Sequence, residues 1–421
     1  MTMAADKQDK VLNVPNKRVQ NQTCLNSAER VGLRTKGNVP NLRFPEFSGR
    51  WNCYRLGDLT DLFSVRNKDG RNYPMYSVTN DMGFVPQSEK FEDRAMIGEN
   101  INSYKIIREG DFAYNPARIN VGSIARYQEK YPCMISSLYV CFKPDKQLVN
   151  SDLLLHILKS PRLIDKYKLH GEGGVRIYLF YPNFAQIKIW IPRLTEQSKI
   201  AKLLTLIEER ITTQIRIIED LKSLSDVICE RLYTPSEKES WKTYKYADLF
   251  SISNERNSKL QYTNVLSASQ EYGMIERNEL NIDIKFEASS ITNYKIVRPN
   301  QYVIHLRSFQ GGFAYSEKTG VCSPAYTILV PNEKLSTAFL KYYFTSKKFI
   351  DTLRIVTYGI RDGRSISVEE FLQLKVAIPD IARQQHIAYV MQLWEEKIKT
   401  EESYLSKLQQ QKQYLLSTMF V

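Results

Sequence analysis

A chain of 421 residues is too long for one ordinary domain and fits two or three. Its 59 Lys and Arg against 46 Asp and Glu leave a net charge of +13, which points to a polyanionic partner, while 43% hydrophobic residues suffice for packed cores. No apolar run reaches about 18 residues, the N-terminus lacks the apolar core of a signal peptide, and Cys24, Cys53, Cys133, Cys141, Cys229 and Cys322 form no CxxC pair and sit at no zinc-ligand spacing from a His. A membrane span, a secretory leader and a structural zinc site are therefore not expected, and the cysteines read as reduced thiols of a cytosolic protein.

Residues 1–40 are rich in Asn, Gln and Lys and poor in large apolar side chains, so a mobile polar extension is expected there, with a nucleic-acid-binding arm as the alternative. From 41 to 191, short runs such as "YPMYSVTN", "GDFAYN" and "SLYVCFK" are broken by Gly, Pro and Asn and predict strands; "SDLLLHILKSPRLIDKY" predicts helix. Residues 192–235 predict one long amphipathic helix bounded by Pro192 and Pro235. Its apolar seam is Ile200, Leu204, Ile207, Ile211, Ile215, Ile218, Leu221, Leu224, Ile228 and Leu232, with a mean step of about 3.56 residues, between a straight helix and a coiled-coil heptad. Residues 236–378 return to strand-like runs ("QYVIHL", "AYTILV") and a helical stretch, "LSTAFLKYYFTSKKFIDTL". Residues 379–421 predict a second long helix with Ile387, Met391, Trp394, Ile398, Leu405, Leu408, Leu415 and Met419 on its seam, interrupted by Glu401 and Glu402.

The second half repeats the first. "WIPRLTEQSKIA" from Trp190 matches "AIPDIARQQHIA" from Ala377; "NSYKIIREGDF" from Asn102 matches "TNYKIVRPNQY" from Thr292; "LYVCFKPDKQL" from Leu138 matches "AYTILVPNEKL" from Ala325; "WNCYRLGDLTDLFS" from Trp51 matches "WKTYKYADLFS" from Trp241. Four matches in one order make the chain an internal duplication. The fold class expected is α+β: two mixed, strand-rich domains separated by two long helices. An apolar face of that length is unstable alone in water. Each helix packs either on its own domain or on the other helix; the antiparallel coiled coil, giving a pseudo-two-fold repeat, is the arrangement expected.

Two basic heads joined by helices suit duplex DNA, whose helical repeat is about 34–36 Å. Candidate readers lie at corresponding places. The loop "YNPARINVGSIARY" offers Asn115, Arg118, Asn120 and Arg126, and "IHLRSFQGGFAY" offers Arg307, Ser308 and Gln310. Arg pairs bidentately with guanine, Asn and Gln with adenine, and Gly lets backbone approach phosphates; a plain exposed turn is the alternative. A second surface, "SVTNDMGFV", holds Thr79 and Asn80 and has "LSASQEYGMI" as its counterpart. A third, "GEGGVR" with "YGIRDGR", holds Arg176, Arg361 and Arg364, which either anchor phosphates or cap an internal turn.

At these residues the chain resembles the DNA-specificity (S) subunits of type I restriction–modification systems. "PNLRFPEFSGRW", "YSVTNDMGFVPQSEKF", "SYKIIREGDFAYNPARINVGSIA", "LRSFQGGFAYSEKTGVCSPAYTILV" and the paired "IP…Q…IA" helices carry the likeness, which covers nearly everything from about Asn41 onward. It implies two target recognition domains, each reading one half of a bipartite asymmetric site, and helices that set the spacing and dock two modification (M) subunits. It also implies no catalysis and no cofactor in this chain: S-adenosylmethionine belongs to the M subunits, which methylate adenine N6, and ATP with Mg to restriction (R) subunits. The extension of about 40 residues is the departure from the family pattern.

Other readings fit less well. "NPAR" at Asn115 faintly resembles an adenine methyltransferase motif but lacks its second Pro and its aromatic residue, and no glycine-rich strand–turn–helix precedes it. A dimeric repressor would place its symmetry between chains and carry a short reading helix. A scaffold without a DNA role would show no salt-sensitive retention on duplex DNA. A stand-alone bivalent DNA-binding protein is the main alternative.

Overall fold

The computed structural model describes residues 38–87, 101–173, 177–237, 239–269, 272–277, 288–305, 312–353, 357–358 and 365–421, so the extension up to residue 37 lies outside it. The chain forms two compact units, one of Met1–Arg210 with Leu408–Val421 and one of Ile211–Lys407.

In the first unit, strands β1 (Asn52–Arg55), β2 (Thr60–Phe63), β3 (Tyr76–Val78), β4 (Phe84–Pro86), β5 (Lys105–Ile107), β6 (Phe112–Tyr114), β7 (Ile124–Arg126), β8 (Cys133–Ile135), β9 (Val140–Pro144) and β10 (Lys188–Ile191) are short, because Gly, Pro and Asn interrupt each apolar run. They pair antiparallel as a four-stranded sheet β2-β9-β6-β7, the pairs β5-β8 and β1-β10, and the hairpin β3-β4. Alternation divides the core in two. On β6, Phe112 and Tyr114 face one side: Tyr114 and Phe142 lie 5.1 and 5.4 Å from the ring of Phe184, and Phe112 stacks on Phe142 at 5.2 Å. Ala113 faces the other, with Val78, Ile107, Cys133, Ile135 and Cys141. Each buried ring contributes about 1.5–3 kcal/mol. Helix α1 (Leu56–Leu59) follows β1, and α2 (Ser151–Leu158), α3 (Pro161–His170) and α4 (Tyr181–Gln186) follow β9. The stretch read from sequence as one helical run is two helices, because Ser160 caps a new helix whose first residue is Pro161.

The second unit repeats this order. Strands β11 (Lys242–Lys245), β12 (Phe250–Ser253), β13 (Leu266–Ser269), β14 (Gly273–Glu276), β15 (Lys295–Val297), β16 (Tyr302–Ile304), β17 (Phe313–Tyr315), β18 (Gly320–Cys322) and β19 (Thr327–Pro331) give the sheet β12-β19-β16-β17, the pair β15-β18 and the hairpin β13-β14. The strand after α5 and the strand before the last helix pair as well, in β11-β22 (Lys375–Ile378). Here α5 denotes Leu194–Leu232, and α6 (Phe339–Tyr343), α7 (Lys347–Leu353), the short strands β20 (Thr357–Tyr358) and β21 (Ser365–Ile366), α8 (Val368–Gln373) and α9 (Ile381–Thr418) complete the chain. Phe313, Phe344, Phe349 and Phe371 form the ring cluster of this unit, with Phe313 and Phe344 centroids 4.7 Å apart.

One glutamine launches each long helix. Gln197, 1% exposed, donates to the carbonyls of Leu148 (3.0 Å) and Pro192 (2.9 Å) and accepts from the amide of Asn150 (2.8 Å). Gln384 donates to Lys334 (3.0 Å) and Pro379 (2.9 Å) and accepts from Ser336 (2.8 Å). The shared Gln of the "IP…Q…IA" match is thus a buried clamp that fixes where the helix leaves the sheet domain. An ion pair stands beside each clamp, with its sense reversed: Arg43 holds Glu196 at 2.7 Å, and Glu239 holds Arg383 at 3.2 Å.

The helix ends are sealed as well. In the second unit Tyr233, just past α5, packs on Phe339 and Tyr343. In the first, Phe420, just past α9, meets Trp51 edge-on at 6.4 Å while its carbonyl accepts from Arg162 at 2.7 Å. The two helices lie antiparallel. In the first unit Glu208 of α5 pairs with Lys412 of α9 at 2.6 Å; in the second, Gln214 donates to Glu401 at 2.7 Å, Lys222 pairs with Glu402 at 2.7 Å, and Cys229 shares a cluster with Ile387 and Met391.

Along α5, Ile200, Leu204, Ile207 and Ile218 are buried and Ile211, Leu221, Ile228 and Leu232 half-buried; along α9, Met391 and Leu408 are buried and Trp394, Ile398 and Leu405 half-buried. Ile215 and Leu224 correct the seam expected from sequence, being 40% and 48% exposed. Alternating steps of four and three from Ile207 run through Ile211, Gln214, Ile218, Leu221 and Ser225, which leaves Ile215 and Leu224 outside. Gln214, 5% exposed, takes the buried place because Glu401 satisfies its amide, so the polar interruption in the second helix is half of a matched layer.

Two carboxylates on the long helices are charge-clamped. Burial alone would raise Glu395, but hydrogen bonds from Lys341, Lys399 and Tyr342 outweigh it and hold the group at about 2; His156 and Lys412 do the same for Glu208, also about 2. A carboxyl lowered from its ordinary 4.5 contributes stability that is complete above that value and lost as pH falls toward 2. Denaturant midpoints are expected to fall across that window, and less steeply in Glu395→Gln; midpoints that stay flat with pH in the unaltered chain would contradict the clamp.

Candidate nucleic-acid interface

In the first unit three segments meet around the β6–β7 loop. Asn115 opens it: its side-chain oxygen accepts from the amide of Ala117 (3.0 Å) and its carbonyl from that of Arg118 (3.0 Å). Buried Ile119 anchors the loop below, and Gly122 closes it at φ +92, a left-handed conformation that suits glycine. The carbonyl of Pro116 accepts from Leu179 (3.0 Å), tying in the segment before α4. Ser123 donates to the carbonyl of Val78 (2.8 Å), tying in the β3–β4 hairpin, and a Cβ placed on Gly122 would lie 3.7 Å from that of Asn80. The loop is a braced platform.

On that platform Arg118 and Asn80 are exposed and Asn120 is half-buried. No side-chain hydrogen bond of Arg118 occurs among the described residues, so its guanidinium is available for an anionic or base-edge partner. The other candidates carry internal duties. Thr79 is buried: its hydroxyl donates to Gly83 and accepts from Met82, so it closes the hairpin turn. Asn115 is half-buried in its own turn. Arg126 is held by Asp152 at 2.6 Å and braces β7 against α2. Arg176 lies outside the described residues, as do Arg307, Ser308 and Gln310 between β16 and β17 and Arg361 and Arg364 between β20 and β21. For the second unit the structure gives the frame: the amide of His305 donates to Gly312 at 2.6 Å at the mouth of that loop.

The titratable groups read as scaffold. Burial raises Asp111, whose carboxylate accepts from the amide of Arg108 (2.9 Å); in the second unit the neutral amide of Gln301 accepts from Arg298 (2.8 Å) in the same role. Burial pushes Cys133, Cys141, Cys229 and Cys322 up to about 12, and no disulfide joins the five described cysteines. No group of three or more His, Cys, Asp or Glu placed to hold a metal occurs among the described residues, nor any helix long and apolar enough to cross a membrane.

The model of the type I restriction modification DNA specificity domain matches the chain twice, over residues 49–223 and 238–410. The chain belongs to that family. The two specificity domains each take in a sheet unit and most of its following helix, which agrees with the duplication read from sequence. No curated protein matches. The S subunit of a type I restriction-modification system from M. genitalium shares the fold over 91% of this chain and 99% of that one, with a TM-score of 0.55 and 13% identity. A chain from a structure on complex assembly and conformational transition of the type I R-M system does so over 87% and 96%, with a TM-score of 0.54 and 13% identity. At such identity the likeness concerns the fold.

Proposed function

We propose that this chain is the DNA-reading subunit of a type I restriction–modification enzyme. Each unit reads one half of a bipartite, asymmetric DNA site, the helices set the unread gap, and helices and adjoining surfaces dock two adenine-N6 methyltransferase subunits. The observation that carries this is a DNA specificity domain present twice in one chain on matched scaffolds, with different residues on the matched loops. Two identical readers would serve a palindrome; two unlike readers serve an asymmetric site. Arg118 and Asn80 are the side chains of the first unit best placed to meet base edges. The chain does no chemistry in this reading: S-adenosylmethionine is bound by the modification subunits, and ATP with Mg is used by restriction subunits.

Reconstitution tests it. The chain mixed with its modification subunit and S-adenosylmethionine is expected to methylate adenines at one interrupted sequence, while the chain alone binds duplex DNA weakly, with a steep loss in salt, and transfers no methyl group. Methyl transfer by the chain free of partner would overturn the reading. Tight, sequence-specific binding by the chain alone, unaffected by the modification subunit, would favour a stand-alone bivalent DNA-binding protein instead.

A further inference from the structure

Each unit carries a loop closed by one buried asparagine. Between β2 and β3, Asn67 is 1% exposed; its side chain donates to the carbonyl of Arg71 (2.8 Å) and accepts from the amide of Arg71 (3.2 Å), while its main-chain amide donates to Tyr104 (2.9 Å). Between β12 and β13, Asn257, also 1% exposed, does the same with Tyr262 (2.7 and 3.2 Å) and Tyr294 (2.9 Å). Inside each loop the chain passes through a left-handed residue, Gly70 at φ +61 and Leu260 at φ +51. Leucine does not favour that conformation, so the asparagine staple imposes it.

The staples display charge. Arg66, Lys68 and Arg71 are exposed on the first loop, and Arg256 and Lys259 on the second. The carboxylates beside them are answered: Asp69 stands 4.0 Å from Arg71, and Glu255 pairs with Arg298 at 2.8 Å. No side-chain hydrogen bond or ion pair of Arg66, Lys68, Arg256 or Lys259 occurs among the described residues. Strand register fixes where the loops leave the sheet. β2 ends at Phe63 opposite Cys141 of β9, and β6 ends at Tyr114 opposite Val140. The basic loop and the Arg118 loop therefore leave the same end of the sheet, with β9 between their strands, so their roots lie about 10 Å apart, two strand spacings. In the second unit β12 ends at Ser253 opposite Ile328 and β16 at Ile304 opposite Thr327, so its basic loop leaves the corresponding end.

We infer that these stapled loops grip the DNA backbone, with Arg66 and Lys68 in the first unit and Arg256 and Lys259 in the second contacting phosphates beside the bases that each unit reads. The inference deepens the function proposed above and rests on it. A side chain at a base edge in a major groove about 12 Å wide has phosphates within about that distance, which matches the spacing of the loop roots in the first unit. Duplication gives the reason for phosphates over bases. Lysine follows the asparagine directly in the first loop and comes one residue later in the second, so the charge is kept and its geometry is not. Base edges demand fixed geometry, and unlike half-sites demand different residues. Phosphates are the same in both half-sites and require charge alone.

The test measures the affinity of the reconstituted complex, this chain with its modification subunit, for duplexes with and without the recognised site between about 50 and 200 mM salt. Replacing Arg66 and Lys68 together by alanine is expected to reduce the slope of log affinity against log salt by about 0.9 for each lost phosphate contact, and Arg256→Ala with Lys259→Ala to do the same. Both paired variants should weaken all sequences by one factor, keep base preference at every position, and melt with the unaltered protein, because the four side chains are exposed. Lys146→Ala is the control: it removes an exposed charge just past β9, at the opposite end of the sheet, and should leave the slope alone. An unchanged slope in either paired variant would overturn the inference for that unit. An equal drop per charge in Lys146→Ala would overturn it for both, by reducing the effect to net charge, and a changed base preference would make the loops readers of sequence instead. A complex that binds every duplex alike would remove the proposed function, while the slopes would still decide whether these loops hold phosphates.

Discussion

Replacing Gln197 by alanine is expected to cost the first unit about 3 kcal/mol, and Gln384→Ala to cost the second as much. Each amide is buried, and each makes three hydrogen bonds to main-chain groups, one of them buried and two part-buried. Deleting the side chain orphans an N–H and two carbonyls, at about 1–3 kcal/mol for a group left fully unsatisfied, with water entering the cavity to recover part. For units of this size the melting midpoint of the affected unit should drop by roughly 6–12 °C. The consequence reaches function, because the clamp sets the direction in which the long helix departs from the sheet. Ser198→Ala, one residue on and exposed, is the control. Midpoints within a degree of the unaltered protein in both variants would show that the clamp does not anchor the helix.

The second large effect is on reading. Arg118→Ala is expected to relax recognition in one half-site by about 10- to 100-fold, the range for losing a bidentate contact of about 1–3 kcal/mol, and to leave the other half-site intact. Stability should not change, since the side chain is exposed and makes no internal side-chain hydrogen bond among the described residues. Arg118→Lys should recover affinity better than discrimination, because an ammonium keeps the charge and loses the planar fork. Arg126→Ala should behave in the opposite way, lowering stability through the unpaired Asp152 while leaving base preference alone. Equal relaxation of both half-sites by Arg118→Ala would contradict two independent readers.

The sequence by itself determined the duplication, the two long helices, the strand-rich units and the family. These are properties of order and period, and they survive without knowledge of any distant partner: Pro192 and Pro235 bracket a helix, and "IP…Q…IA" recurs whatever it touches. Only the tertiary structure decided which polar side chains were committed inside. Arg118 and Arg126 look equivalent in one loop, yet Asp152 from α2 holds one of them and leaves the other exposed. Ile215 looks like seam and Gln214 like surface, until Glu401 of the antiparallel helix satisfies the glutamine and reverses the two. The physical reason is the same in each case. Backbone periodicity is set by neighbours in the chain, whereas the free energy of a polar side chain depends on partners that only folding brings within hydrogen-bond reach.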